Sequence, residues 1–157
     1  MKDIDYKQAK STLINTIMHP PPIVTAKDSE SIFIISNLIK EKEVSSIIIN
    51  DQNENSVGII TERDIVRRVI ADSKDPNITK AKEIKSQPLI TVDSDAYLFD
   101  AVKIMEKNNI RRLPVVKDNS LVGFLTITDI IKHFHELYKE DHYLFKFMVR
   151  YKKYFEE

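Results

Sequence analysis

The chain has 157 residues, of which 42% are hydrophobic and 31% charged, and its 24 Lys plus Arg are balanced by 24 Asp plus Glu. That is enough apolar material for one compact domain, or two half-size units sharing a core, while zero net charge excludes a general attraction to nucleic acid or anionic membrane. The lack of cysteine removes disulfides, thiolate metal sites and cysteine nucleophiles together.

No apolar run approaches the ~18 residues of a membrane span. Met1 to Lys7 contains no apolar signal core, so a soluble, cytoplasmic protein with no membrane partner is expected.

In chain order, Ile4, Leu13, Ile14 and Ile17 predict a helix over 3–18, ended by Pro20-Pro21-Pro22 because proline lacks the N–H and forces its predecessor into extended geometry. Ile23-Val24-Thr25 reads as a short strand. Asp28 or Ser29 is the expected N-cap of a helix to about Lys42, with Ile32, Ile35, Leu38 and Ile39 on one face. Val44 to Ile49 is short and β-branched, hence a buried strand. Asp51 to Asn55 is a turn cluster, Val57 to Thr61 a strand, and Asp64 to about Ala71 a helix. The polar stretch from Asp72 to Asn77, with Pro76, marks a boundary.

The order then repeats. Leu89 to Val92 is a strand, and Asp95 to Asn108 a helix with Leu98, Ala101, Val102 and Met105 inward. Ile110 to Val116 is a strand, Lys117 to Ser120 a turn, and Leu121 to Thr126 the last strand. A helix from Asp129 runs through Ile130, Ile131, Phe134, Leu137 and Tyr138. Beyond it Leu144, Phe147, Met148, Tyr151, Tyr154 and Phe155 recur at helical spacing as an aromatic amphipathic tail.

The only two glycines sit at matching places in the two halves. Gly58-Ile59-Ile60-Thr61-Glu62-Arg63-Asp64 and Gly123-Phe124-Leu125-Thr126-Ile127-Thr128-Asp129 agree at Gly, Thr and Asp. Each is a strand running through a polar corner into a helix. By itself Thr-x-x-Asp is close to a capping box, in which the hydroxyl satisfies an orphan N–H and the carboxylate favours the positive helix end. The same carboxylate can accept from both hydroxyls of a ribose, and a nearby threonine with the helix-start N–H groups suits a phosphate. The two readings are compatible. Arg111-Arg112 precede the second Leu-Pro-Val strand, where the first half has Ser45-Ser46, and neighbouring strand side chains point to opposite sides.

These ordered pieces, occurring twice, resemble a tandem pair of CBS domains, a Bateman module, over about residues 17–135. The resemblance implies an α/β fold of two β-α-β-β-α repeats packed sheet to sheet about a pseudo-twofold axis, with a C-terminal helical extension. The expected organisation is an N-terminal segment, 1–16; repeat 1, 17–72; a connector, 73–83; repeat 2, 84–135; and a tail, 136–157.

It also implies two clefts that bind adenine nucleotides (AMP, ADP or ATP) or adenosyl compounds such as S-adenosylmethionine, each drawing on both repeats. The first would use Arg112, Thr126, Thr128 and Asp129, with an adenine wall of Ile23, Val24, Val44 and Ser45. The second would use Thr61, Arg63 and Asp64, with Leu89, Ile90 and Arg111 opposite. Ser46 stands where the other cleft has Arg112, so the Asp129 cleft is expected to be the tighter for a charged nucleotide.

No catalytic residues are expected, and two glycines cannot supply a phosphate loop. His133 and His135 are two apart on a helix and His142 lies further on, which is poor metal spacing, so neither a metal site nor a cofactor is expected. Glu62 is read as a surface residue that pairs with Arg63. The tail is left with three roles: packing on its own module, forming a homodimer, or docking an effector protein. The alternative to nucleotide sensing is therefore a protein-interaction or dimerisation module acting through the tail, with vestigial clefts. Nucleic acid is not an expected partner.

Overall fold

In the computed structural model, which describes residues 11–20 and 23–137, the order strand, helix, strand, strand, helix occurs twice. The described residues divide into two compact units, 23–90 and 11–20 with 91–137.

In the first unit, β1 (Thr25–Lys27) is parallel to β2 (Ser46–Asn50), which is antiparallel to β3 (Ser56–Thr61). Helix α1 (Ile32–Glu41) joins β1 to β2 and buries Ile32, Ile35 and Ile39, as its apolar spacing requires. These residues join Ile47, Ile49, Ile60, Val69, Ala81 and Ile84 in one core. Truncating the fully buried Ile35 to Ala would cost about 2–5 kcal/mol.

The N-cap of α1 is Ser31, whose hydroxyl accepts from Ile34 N at 3.4 Å, rather than Asp28 or Ser29. Asp28 instead continues from the strand, its N–H on Asn50 O at 2.9 Å and its carboxylate 3.4 Å from Lys85 Nζ. Helix α2 (Glu62–Ile65) opens two residues earlier than expected, because Thr61 caps it, and runs into a π-helical turn, Val66–Ile70. The connector holds an unforeseen short helix, α3 (Ala81–Ile84), which buries its two apolar ends.

In the second unit, β4 (Val92–Asp93) is parallel to β5 (Arg112–Lys117), which is antiparallel to β6 (Ser120–Thr126). Helix α4 (Leu98–Asn108) buries Leu98, Ala101 and Met105, and α5 (Ile127–Leu137) follows β6 directly. The strand expected over Leu89 to Val92 is reduced to the pair that meets Val115 and Val116.

The helix expected over 3–18 is not what residues 13–19 form. Leu13 is extended, Ile14–Thr16 is a single 3-10 turn, and His19 bridges to the edge of β6. Tertiary pairing overrides the loose helical pattern. Ile14 is fully buried, its N–H bonds Ala96 O at 3.1 Å, and Asn15 N bonds Ser94 O at 2.9 Å.

Both glycines are explained by close approach. His19 and Phe124 exchange backbone hydrogen bonds of 2.8 and 3.0 Å, and Ser86 and Ile59 exchange bonds of 2.9 and 3.1 Å. Each bridge lays an extended segment across the residue beside the glycine. Neither glycine has a positive φ; what each position excludes is the side chain itself. The aromatic tail beyond Leu137 and the segment 1–10 lie outside the described residues, as does the helical extension expected there. Among the described residues no helix is long and apolar enough to cross a membrane.

Candidate functional site

The threonine–aspartate pairs form the same structure twice. Thr61 Oγ1 donates to Asp64 Oδ2 at 2.7 Å, Thr61 N donates to the same oxygen at 2.9 Å, and Asp64 N donates back to Thr61 Oγ1 at 3.2 Å. In the second repeat Thr126 Oγ1 and N donate to Asp129 Oδ2 at 2.6 and 2.8 Å, and Asp129 N donates to Thr126 Oγ1 at 3.3 Å. These are capping boxes with aspartate in the place of the usual glutamate. In each, one carboxylate oxygen is fully committed to its threonine and the other, Oδ1, is left to a different partner.

That partner differs between the repeats. Asp64 Oδ1 lies 3.3 Å from Arg68 Nη2, one turn on along the same helix, and Arg68 also donates to Ile84 O at 2.5 Å. The spacing that carries Asp64 to Asp129 carries Arg68 to His133. His133 lies 3.2 Å through Nε2 from Thr12 Oγ1, and burial holds its imidazole below the ordinary value, opposed in part by Glu136. Asp129 Oδ1 is met instead by His19 Nε2 at 2.5 Å. The Asp129 side chain is 4% exposed and that of Asp64 14%. The more deeply buried carboxylate therefore has the histidine.

The remaining expected site residues are placed as follows. Arg112 pairs in register with Thr126, as Ser46 does with Thr61, so the serine and the arginine occupy matching positions. Arg111 and Arg112 are both half-buried, and Arg111 O accepts from Ile127 N at 2.9 Å at the start of α5. Thr128 and Arg63 are exposed, and Ile23, Leu89 and Ile90 are half-buried. Val24 and Val44 pack on the core of the first unit.

In that unit Val44 and Ser45 line a depression of about 550 Å³ with Ser36, Ile39, Lys40, Glu43 and Glu62. Ser36, Lys40 and Glu43 were not expected at a site. His19, Arg68 and His133 were also missed as partners of the site carboxylates or their surroundings. The available signals were the repeat spacing for Arg68 and His133, and, for His19, its place before prolines, like Ser86 before Gln87-Pro88. No three His, Asp or Glu side chains group to hold a metal ion among the described residues.

Two βαββα units with a capped aspartate at each last-helix start define a tandem α/β module. The CBS domain model matches residues 14–71 and again 81–136, and the chain belongs to the CBS domain family. A CBS pair is a regulatory ligand-binding module.

Among its relatives, an uncharacterized protein of Methanopyrus kandleri is 39% identical over 111 residues, which is 70% of this chain but 57% of that protein. The solved CBS domain pair in complex with 5′-methylthioadenosine and S-adenosyl-L-methionine is 30% identical, with a TM-score of 0.69 over 80% of this chain and 97% of that one. Hypoxic Response Protein I, solved with two coordinated zinc ions, is 28% identical, with a TM-score of 0.66 over 78% of this chain and 98% of that one.

Proposed function

We propose that the chain is a non-catalytic cytoplasmic sensor that binds adenine nucleotides (AMP, ADP or ATP) or adenosyl compounds through its capped aspartates. The observation that carries this reading is the pair of carboxylates, each fixed through Oδ2 by its threonine, with Oδ1 turned to a polar partner. A carboxylate oriented in this way is suited to accept from ribose hydroxyls. The adenosyl ligands of the solved CBS pair support that chemistry. Arg112, beside Thr126, supplies the cation for a phosphate, and the matching Ser46 makes the Asp64 site the weaker for a charged ligand. Of the other residues expected at these sites, Ile23, Val24, Val44, Ser45, Leu89 and Ile90 belong to the first unit and Arg111 to the second.

Thermal unfolding with AMP, ADP, ATP and S-adenosylmethionine tests the reading. At least one should raise the melting temperature, and Asp129→Ala or Arg112→Ala should remove most of the rise. If none of the four compounds shifts the unchanged chain, the reading fails.

A homodimer belongs to the same proposal. Phe33, Ile34, Val66, Ile70 and Ile78 in the first unit are large apolar side chains left exposed, which a second copy of the chain could cover. Sedimentation at several concentrations should give twice the chain mass, and a monomer throughout would remove this part.

A further inference from the structure

We infer that His19 is an internal competitor for the Asp129 carboxylate, and that it sets the affinity of that site for a ligand bearing a vicinal diol. The inference rests on the diol-binding reading of Asp129 given above, and deepens it.

It follows from counting acceptor positions. An ionised carboxylate offers roughly four lone-pair sites. Thr126 takes two, both on Oδ2, through its hydroxyl and its backbone N–H. His19 Nε2 takes a third, on Oδ1. Among the described residues these contacts leave one site, and a vicinal diol that donates both protons needs two. A diol therefore engages Asp129 fully only when the imidazole withdraws.

The histidine is built to be both present and removable. Its backbone is fixed by the two-bond bridge to Phe124, and Gly123 lets that segment lie against β6. The ring is 61% exposed, whereas the carboxylate it meets is 4% exposed. Rotation about the side-chain bonds would free Oδ1 without breaking the bridge. In the first unit the bridging residue is Ser86, and Asp64 Oδ1 is met by Arg68, whose guanidinium is also anchored on Ile84 O. The two aspartates are thus guarded differently: Asp64 by a side chain one turn on with a second anchor, Asp129 by His19 from the segment 13–19.

The test is calorimetric titration with AMP and with 2′,3′-dideoxy-AMP, which keeps the base and phosphate but lacks the diol. Because the ring side of the contact is largely exposed, its loss is small, and His19→Ala should bind AMP roughly fivefold more tightly than the unchanged chain. His19→Gln, which keeps an amide donor at similar reach, should lie between the two. The gain should be absent for the dideoxy compound, and absent again when Asp129→Ala is combined with His19→Ala. AMP binding that depends on Asp129 but is unchanged or weakened by His19→Ala would overturn the inference and leave the site reading intact. A gain that survives Asp129→Ala would also overturn it, by placing the effect elsewhere. If AMP binds none of these chains, the diol reading of the site fails and takes this inference with it.

Discussion

The carbonyl oxygen of His19 lies so close over Gly123 that a methyl group on that Cα would stand 2.2 Å from it. The obstacle is backbone, held by the bridge to Phe124, and cannot rotate away. Gly123→Ala should therefore destabilise the chain by about 2 kcal/mol, the usual scale of overpacking, despite the smaller gain from a stiffer unfolded chain. Gly58→Ala meets Ser86 O at 2.8 Å and otherwise the flexible Lys85 side chain, so its loss should be smaller. Urea unfolding of both variants gives the order. Equal losses, or a larger one at Gly58, would contradict the close-approach account of these glycines.

Arg68 bridges Asp64 and the carbonyl of Ile84, and the two contacts respond differently to salt. The ion pair is nearly half exposed on the arginine side and should contribute little. The hydrogen bond ties the π-helical turn to the end of α3, and as a charge-assisted bond it should carry most of the effect. Arg68→Met is expected to cost about 1–2 kcal/mol in dilute buffer, and most of that loss should remain at about 1 M salt, where the ion pair is screened. Unfolding at the two salt concentrations checks this. A loss that disappears in salt would assign the effect to the ion pair alone.

Much of the fold was legible because its signals are local. Ile32, Ile35 and Ile39 declare α1 by spacing, the β-branched residues of Val44 to Ile49 declare the buried strand found at Ser46–Asn50, and the duplicated Thr-x-x-Asp marks two helix starts. What was not legible depends on partners distant in the chain. Residues 13–19 look weakly helical until Ser94, Ala96 and Phe124 supply their hydrogen bonds. Ser31 caps α1 because Asp28 is occupied with Asn50 and Lys85. In the site, each aspartate and its threonine could be read from the repeat. The guard on Asp129 could not, because the residue at the Arg68 position is His133, turned to Thr12, and the substitute is His19, at the end of the segment 13–19.

Glu43 follows α1 with a φ of 51°, and Asn109 follows α4 with the same φ. Asparagine tolerates this left-handed conformation, whereas glutamate gains nothing there and has a Cβ that crowds the carbonyl. Glu43→Gly should therefore stabilise the chain by about 0.5–1 kcal/mol. Glu41→Gly, two residues earlier in the last helical turn, should cost about 1 kcal/mol. The opposite signs, read as opposite shifts in urea midpoint, separate conformational strain from a general effect of glycine. If both variants lose stability equally, strain at Glu43 is not the cause.

His133 gives the chain an acid-sensitive contribution whose sign is set by burial. Desolvation lowers its pKa below the ordinary value of 6.5, and the negative charge of Glu136 opposes this without reversing it. Well above pH 6.5 neither the folded nor the unfolded chain protonates this ring, and the group contributes nothing. As the pH falls through 6.5 the unfolded chain takes up the proton first, so stability falls. The decline continues until the folded pKa is passed, below which both states hold the proton and the penalty is constant. His133→Gln retains a partner for Thr12 Oγ1 at similar reach but does not titrate. Melting temperatures from pH 7.5 to 5 should therefore fall more steeply for the unchanged chain than for His133→Gln. The other titrating groups are common to both chains, so the difference between the curves isolates this ring. Parallel curves would mean that the imidazole is as well solvated in the fold as in the unfolded chain, and a steeper fall for the glutamine variant would mean that Glu136 outweighs burial.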